Sequence, residues 1–283
     1  MREFLYKTRD GMDLCAYAWE AEGPWADLCL IHGLGEHAGR YEEMAKTMNR
    51  AGICVYAYDQ RGHGRSPGKR ATARLEELSL DAKGFVERIH GKTGRPTLLF
   101  GHSMGGGVGL YTLLFHQPQV VGAIITSPWL RLRNPPPGAL ISLVGAMPWL
   151  FGGMNMKNGI DAALLSHDQA VVQGYPKDPL NHSMVGLSLA ADMVRGGERS
   201  IANAGRLKVP LLLMHGEEDG ICDVEGSRAF AKNAGTNCRL ETYPGQFHEL
   251  HNEPEVKQAL FQREIDFVRE AAGRAVRKDP ERA

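Results

Sequence analysis

Thr97–Val108, TLLFGHSMGGGV, is the stretch whose reading decides the fold. Thr97 to Phe100 is a short apolar run suited to a buried strand, and a helical pattern begins directly after Ser103. So abrupt a passage from strand to helix puts its apex serine at φ > 0. Gly101 and Gly105 flank the apex because a Cβ at either place would hold strand and helix apart. The turn lifts the Ser103 hydroxyl clear of the backbone, within reach of a base on one side and a carbonyl on the other. This is the strand, turn and helix of a nucleophile elbow, G-x-S-x-G. The bare pattern also fits a glycine-rich turn, so the rest of the chain must decide.

Working outward, Glu3–Arg9 and Met12–Trp19 alternate in polarity around Asp10-Gly11, a two-residue hairpin signal. Strands are expected at Asp27–Ile31 and Ile53–Tyr58, and helices over about Arg40–Arg50 and Leu75–His90. The elbow helix should run to about His116, followed by a strand at Val121–Thr126. The alternation resumes with strand Val209–His215, helix Val224–Asn233, strand Cys238–Tyr243 and helix Pro254 to about Ala272, with Phe261, Ile265 and Val268 on one face. The last ten or so residues are charged and should fray. Strands alternating with helices imply an α/β fold, a mostly parallel sheet with helices on both faces.

Between the two blocks, Ser127 to about Arg206 has another character. It carries Pro135-Pro136-Pro137 and the apolar run Ala139–Met154, including Leu140, Leu143, Trp149 and Phe151. Too apolar for a solvated linker, it reads as an inserted lid. The expected organisation is a core of residues 1–126 and 207–283 with a lid over 127–206. The apolar run is expected to hold the acyl chain and to touch a lipid interface, although a helix merely packed on the body would show the same stripe.

The 283 residues are 43% hydrophobic and 23% charged, enough for one full core. The 33 basic and 33 acidic residues cancel, which leaves no electrostatic footprint for nucleic acid and favours a small neutral ligand. Five cysteines without CxxC spacing read as free thiols in a reducing compartment. With no apolar signal core near the start and no run long enough to span a bilayer, a cytoplasmic protein is expected. No histidine or cysteine spacing suits a metal, and no cofactor is expected.

One competing motif is Gly33-Leu34-Gly35-Glu36-His37-Ala38, which follows a strand and precedes Asp59 as a dinucleotide fingerprint would. His32 and Glu36 sit poorly beside a pyrophosphate, and the Asp59 loop continues as Gly62-His63-Gly64 instead of a helix. A serine nucleophile at Ser103 calls for an acid and then a base in later loops. Of eleven histidines, two lie beyond the strand ending at His215: His248 and His251. His248, in the first loop after Cys238–Tyr243, is the better base. Among Glu217, Glu218, Asp219 and Asp223, Asp219 at the loop apex suits the carboxylate that orients the imidazole, while Asp223 suits a helix N-cap. The N–H of Met104 at the elbow helix and that of Leu34 in the first glycine loop are the expected oxyanion donors. His32, His102, Asp59 and His63 read as structural groups that steady the turns.

Together HGLGEHAGRY (His32–Tyr41), DQRGHGRSPG (Asp59–Gly68), GHSMGG (Gly101–Gly106), HGEEDGICD (His215–Asp223) and QFHELHNEP (Gln246–Pro254) resemble the monoacylglycerol lipase and lysophospholipase branch of the α/β-hydrolase superfamily. The likeness covers nearly the whole chain, including Tyr175–Leu180. It implies a cofactor-independent serine hydrolase that removes a fatty acyl group from glycerol, with Ser103, Asp219 and His248 as triad and Leu34 and Met104 as oxyanion hole. It also implies that Glu36, Arg40, Tyr175 and His251 shape the headgroup end. Leu34 departs from the small residue common after HG, and the apolar run of the lid follows no template. A lysophospholipase, a general carboxylesterase, an aminopeptidase and a non-catalytic binding protein are the alternatives.

Overall fold

The computed structural model describes residues 1–151 and 153–278. β1 (Arg2–Lys7) and β2 (Asp13–Trp19) pair antiparallel, with Lys7 opposite Asp13. Thr8 to Met12 therefore form the connection, wider than the two-residue turn that Asp10-Gly11 predicts. Thr8 closes it, its N–H donating to the Met12 carbonyl at 2.8 Å and its Oγ1 accepting the Met12 N–H at 2.9 Å. Within it the Gly11 N–H donates to the Thr8 carbonyl at 3.1 Å, a turn with Arg9 and Asp10 at its centre, and the Asp10 carboxylate accepts from Arg61 at 2.9 Å.

β3 (Ala26–Ile31) leads through a 3-10 turn, Ala38–Tyr41, into α1 (Glu42–Arg50). The helix begins later than expected because His37 caps that turn, its ring accepting the Gly39 N–H at 3.2 Å. β4 (Ile53–Tyr58), α2 (Leu75–Thr93), β5 (Thr97–His102), α3 (Ser103–Phe115) and β6 (Gly122–Thr126) follow close to expectation. The inserted stretch holds α4 (Gly138–Ala146), α5 (Pro148–Phe151), β7 (Asn155–Lys157), α6 (Gln169–Gly174), β8 (Met184–Gly186) and α7 (Leu187–Ala202). β9 (Leu211–Gly216), α8 (Val224–Ala234), β10 (Cys238–Tyr243) and α9 (Lys257–Lys278) complete the chain. α9 stays helical past the expected fraying point, and residues 279–283, part of that expectation, lie outside the described residues.

Among the described residues eight strands form one sheet in the order β1-β2-β4-β3-β5-β6-β9-β10. From β4 to β10 every pairing is parallel, and only β2 runs against its neighbours. Helices cover both faces, which is why β3, β4, β5, β6 and β9 are buried along their whole length and read as unbroken apolar runs. On one face α1 and α9 pack Met44, Met48, Phe261, Ile265 and Val268. On the other, α2, α3 and α8 pack Phe85, Ile89, Val108 and Phe230. The parallel order brings the carboxyl ends of β3, β5, β9 and β10 to one edge, where their loops meet.

The inserted stretch is not uniform. Leu189 and Met193 of α7 join the same buried cluster as Val108, so α7 is bound into the main core. α4 turns Ile141 and Val144 onto Ala191 of α7 and leaves Leu140 and Leu143 exposed. Leu150, Met154 and Met156 are exposed as well, and the side chain of Trp149 lies outside the described residues. All five cysteines are free thiols, with Cys29, Cys54 and Cys222 buried. Among the described residues no helix is long and apolar enough to cross a membrane.

One buried group stands out in α9. Among the described residues neither carboxyl oxygen of Glu264 has a hydrogen-bond partner, and burial pushes its pKa up from 4.5 to about 8. The folded chain therefore keeps a proton that the unfolded chain releases, and stability declines as pH rises from about 4.5 through about 8. Glu264→Gln should abolish that decline. Its advantage over the parent should grow across this window by on the order of 4 kcal/mol, measured by urea unfolding at pH 5 and pH 8.5.

Candidate active site

Ser103 begins α3 directly at the end of β5 and has φ 54°, the left-handed conformation expected of an elbow apex. A Cβ on Gly105 would strike the carbonyl oxygens of Ile31 and His32, so only glycine lets α3 lie this close to β3. Gly33 is under a similar limit, since its Cβ would meet Glu36 Oε1 at 2.8 Å and the Ser103 Cβ at 3.2 Å.

The loop after β10 carries His248 to the serine. Its Nε2 lies 2.8 Å from Ser103 Oγ and its Nδ1 2.7 Å from Asp219 Oδ2. Asp219 also accepts the N–H groups of Ile221 and Cys222 at 2.8 and 2.9 Å through Oδ1. Burial would push its pKa up, but His248 and His215 outweigh burial and hold it well below the ordinary carboxylate range. An ionised Asp219 fixes the proton on His248 Nδ1, so Nε2 is left to accept from the serine hydroxyl. Burial likewise disfavours charging His248, yet the Asp219 charge and hydrogen bond, helped by Glu249 and Glu36, raise its pKa above the ordinary value of 6.5. Such a hydroxyl can attack a carbonyl while its proton passes to the imidazole.

Met104 sits in the first turn of α3, where backbone N–H groups lack helical partners and the helix dipole favours negative charge. Across from it the Gly33–Glu36 loop is pinned from behind. Glu36 accepts the Gly33 N–H at 2.5 Å and the Tyr41 hydroxyl at 2.7 Å through Oε1, and Arg40 at 2.5 Å through Oε2. Arg40 makes two further bonds to Glu249, at 2.7 and 2.8 Å. Its guanidinium also lies 4.9 Å from the ring centre of Tyr175, whose hydroxyl donates to the Gly35 carbonyl at 3.2 Å.

His251, expected at the headgroup end, is not among the residues that line the small cavity next to Ser103. The 3-10 turn Leu250–Asn252 directs its ring inward, where it stacks on Tyr41 at 4.8 Å and lies edge-on to His102 at 4.9 Å. Among the described residues neither ring nitrogen has a hydrogen-bond partner, and burial lowers its pKa. Asp223 caps α8, accepting the Glu225 N–H at 3.1 Å, as its place before a helix predicts. Asp59 accepts the N–H groups of Ala38 and Arg65 and the Tyr17 hydroxyl, each at 2.9 Å, and steadies the glycine loop. His32 Nε2 accepts the Gln60 N–H at 2.9 Å, and His102 Nδ1 meets Thr126 Oγ1 at 3.0 Å.

Two further residues, His215 and Glu249, join the site once the chain is folded. His215, at the end of β9, sets its Nε2 3.1 Å from Asp219 Oδ2 and its Nδ1 2.7 Å from Ser227 Oγ. Its signal was its place four residues before Asp219 in HGEED. Glu249 adjoins His248 and had no signal until Arg40 arrived beside it. Among the described residues one set of metal-type side chains converges, Asp219, Cys222 and His248, within 4.8 Å. The Asp219 oxygens in that set are already taken up by backbone N–H groups and imidazoles.

Two cavities meet at Ser103 and Leu34. The larger, about 340 Å³, has mostly apolar walls that include Trp129, Leu140, Val185 and Ile221. The smaller, about 10 Å³, is lined by Glu36, Arg40, Tyr175, His248 and Glu249, with Ile160 and Leu165 closing it. It has room for about one water.

A mostly parallel sheet, a serine at a positive-φ elbow after β5, and a carboxylate and histidine in the loops after β9 and β10 define an α/β-hydrolase. Residues 23–255 match the Hydrolase_4 family, described as serine aminopeptidase, S33, and the chain belongs to that family. It is 34% identical to the monoacylglycerol lipase of Mycolicibacterium smegmatis, over 84% of this chain and 86% of that protein. It is 32% identical to an uncharacterized abhydrolase domain-containing protein of Dictyostelium discoideum over 96% of this chain, and spans 29% of that longer protein. The crystal structure of Paleococcus ferrophilus monoacylglycerol lipase superposes with a TM-score of 0.84 at 30% identity, covering 92% of this chain and all of that one.

The raised pKa of His248 predicts an acid limb in kcat/KM with its midpoint above pH 6.5, since the base must be neutral to work. Asp219→Asn should lower kcat by about 10⁴-fold, through the wrong imidazole tautomer, in a folded protein. Asp223→Asn keeps a good N-cap and should leave both activity and stability within a few tenths of a kcal/mol. Kinetics and circular dichroism on the same preparations check all three.

Proposed function

We propose that this chain is a serine hydrolase that cleaves the acyl ester of monoacylglycerol to a free fatty acid and glycerol through an acyl-enzyme. The carrying observation is the division of space at Ser103: an apolar cavity on one side and a small polar one on the other. An ester with a long hydrocarbon acyl group and a compact polyhydroxy alcohol has that same division. The relatives named monoacylglycerol lipase support the reading.

In this mechanism Ser103 Oγ attacks the ester carbonyl as His248 Nε2 takes its proton, and Asp219 steadies the imidazolium. The tetrahedral oxyanion lies between the N–H groups of Leu34 and Met104. Collapse returns the proton from His248 to the glycerol oxygen, and the alcohol leaves. Water, deprotonated by His248, then hydrolyses the acyl-enzyme. Glu36, Arg40 and Tyr175 face the departing glycerol. Ile160, Leu165 and Tyr175, which close this side, all belong to the inserted stretch, so admission of glycerol requires that stretch to shift.

An aminopeptidase would need a carboxylate available to an α-amine. The carboxylates lining the polar cavity, Glu36 and Glu249, have their oxygens occupied by Gly33, Tyr41, Arg40 and Asn252, so neither offers a free oxygen to pair directly with an amine, and this supports the ester reading. The lid over 127–206 is proposed as the acyl and interface element, on the support of exposed Leu140, Leu143, Leu150 and Met154, of which Leu140 also lines the apolar cavity. A cytoplasmic location is proposed from the five free thiols.

Monoacylglycerols, a lysophosphatidylcholine and an aminoacyl anilide offered to the purified protein should rank with the monoacylglycerol first. Ser103→Ala should lose about 10⁴-fold or more while staying folded. A preference for the anilide would sink the proposal. Replacing both Leu140 and Leu143 by Asp should slow hydrolysis of long-chain micellar monoacylglycerol about tenfold and spare a soluble butyrate ester. Equal losses on both would return α4 to a packing role.

A further inference from the structure

The buried ion cluster beside the candidate base has more anion than cation. Glu36 and Glu249 grip one guanidinium, that of Arg40, from two sides. All three side chains are nearly closed to solvent, at 3%, 2% and 11% exposure. Burial favours the neutral acids, but Arg40 overcomes it and holds both carboxyls below their ordinary range, so the cluster keeps one net negative charge at neutral pH. Low local dielectric makes that charge felt across the small polar cavity the cluster lines.

Glu249 also ties elements together. Asn252 Nδ2 donates to its Oε2 at 2.7 Å, and its own N–H donates to the Leu165 carbonyl of the inserted stretch at 2.8 Å. Through Arg40 and Glu36 it reaches the Gly33 N–H, so one chain of charged hydrogen bonds runs from the loop bearing His248 to the loop bearing Leu34.

We propose that Glu249 is a positioning and specificity-determining residue, whose surplus charge holds the histidine loop against the Leu34 loop and turns away leaving groups that carry a negative charge. The inference rests on Ser103 and His248 acting as nucleophile and base. The alcohol that leaves best is uncharged, and a phosphate-bearing alcohol is rejected by the site and not only by its surroundings. The groups facing His248 are Asp219 and Cys222 after β9, His102 of β5, Glu36 and Arg40 after β3, and Glu249 and His251 on its own loop, with burial keeping the Cys222 thiol protonated. His102 and His251 are kept neutral by burial, and Asp219 remains in place in every variant below.

Glu249→Gln removes the surplus charge and retains an oxygen for Arg40. With p-nitrophenyl butyrate, the acid limb of kcat/KM should move to lower pH by about half a unit or more, because a negative charge near the imidazole is gone. The ratio of kcat/KM for butyrylglycerol over butyrylglycerol phosphate should fall at least about fivefold. Glu36→Gln removes the same charge from the other side of Arg40, keeps an oxygen for Gly33 and Tyr41, and should shift the limb in the same direction. Equal slowing of all three esters with an unmoved limb would show a merely structural role and overturn the proposal. Were neither glycerol ester cleaved, the monoacylglycerol reading would fall, and the limb on p-nitrophenyl butyrate would still decide the charge assignment.

Discussion

The left-handed backbone at Ser103 is the constraint on which the rest of this molecule depends. A serine at φ 54° costs conformational energy, and it persists because β5 and α3 are both fixed by packing on either side of it. The sheet order places β3 beside β5 and β9 one strand further on, so the loops leaving their carboxyl ends converge on the serine hydroxyl. Remove the close approach of α3 to β3 and the Leu34 loop would no longer face Met104.

Around this point the charged groups are arranged in two sets with opposite tasks. Behind His248, Asp219 is held ionised by backbone N–H groups and by His215. In front of it, Glu36, Arg40 and Glu249 form a buried ionic chain that joins two catalytic-edge loops. Buried ions are costly unless fully bonded, and their hydrogen bonds are directional, so each set fixes position as well as charge. The inserted stretch takes part through the Glu249 N–H bond to Leu165 and through Tyr175 over Arg40. Opening that stretch would therefore loosen the histidine loop along with the polar cavity.

The apolar half of the site follows a different logic. α4 divides its residues between a face packed on α7 and a face left outside, next to the larger cavity. Hydrophobic burial has no direction, so an apolar cavity of this kind discriminates by volume and dryness, whereas a buried ion cluster acts through charge.

Much of this was legible in the sequence. The buried parallel strands are unbroken apolar runs, the hairpin alternates, and the elbow needs glycines at fixed offsets, all of which are local or periodic signals. The order Ser103, Asp219, His248 follows from which loops lie at one edge of such a sheet. The sequence could not show that His251 turns inward onto Tyr41, because one residue of 3-10 geometry decides the direction of that ring. Nor could it show Glu249 against Arg40, a pairing across more than two hundred residues, or the support His215 gives Asp219. Propensity and spacing act within a few residues and determined the elements and their order. Which charged side chains meet, and whether a charge is left over, depends on contacts between distant loops that exist only once the sheet has closed.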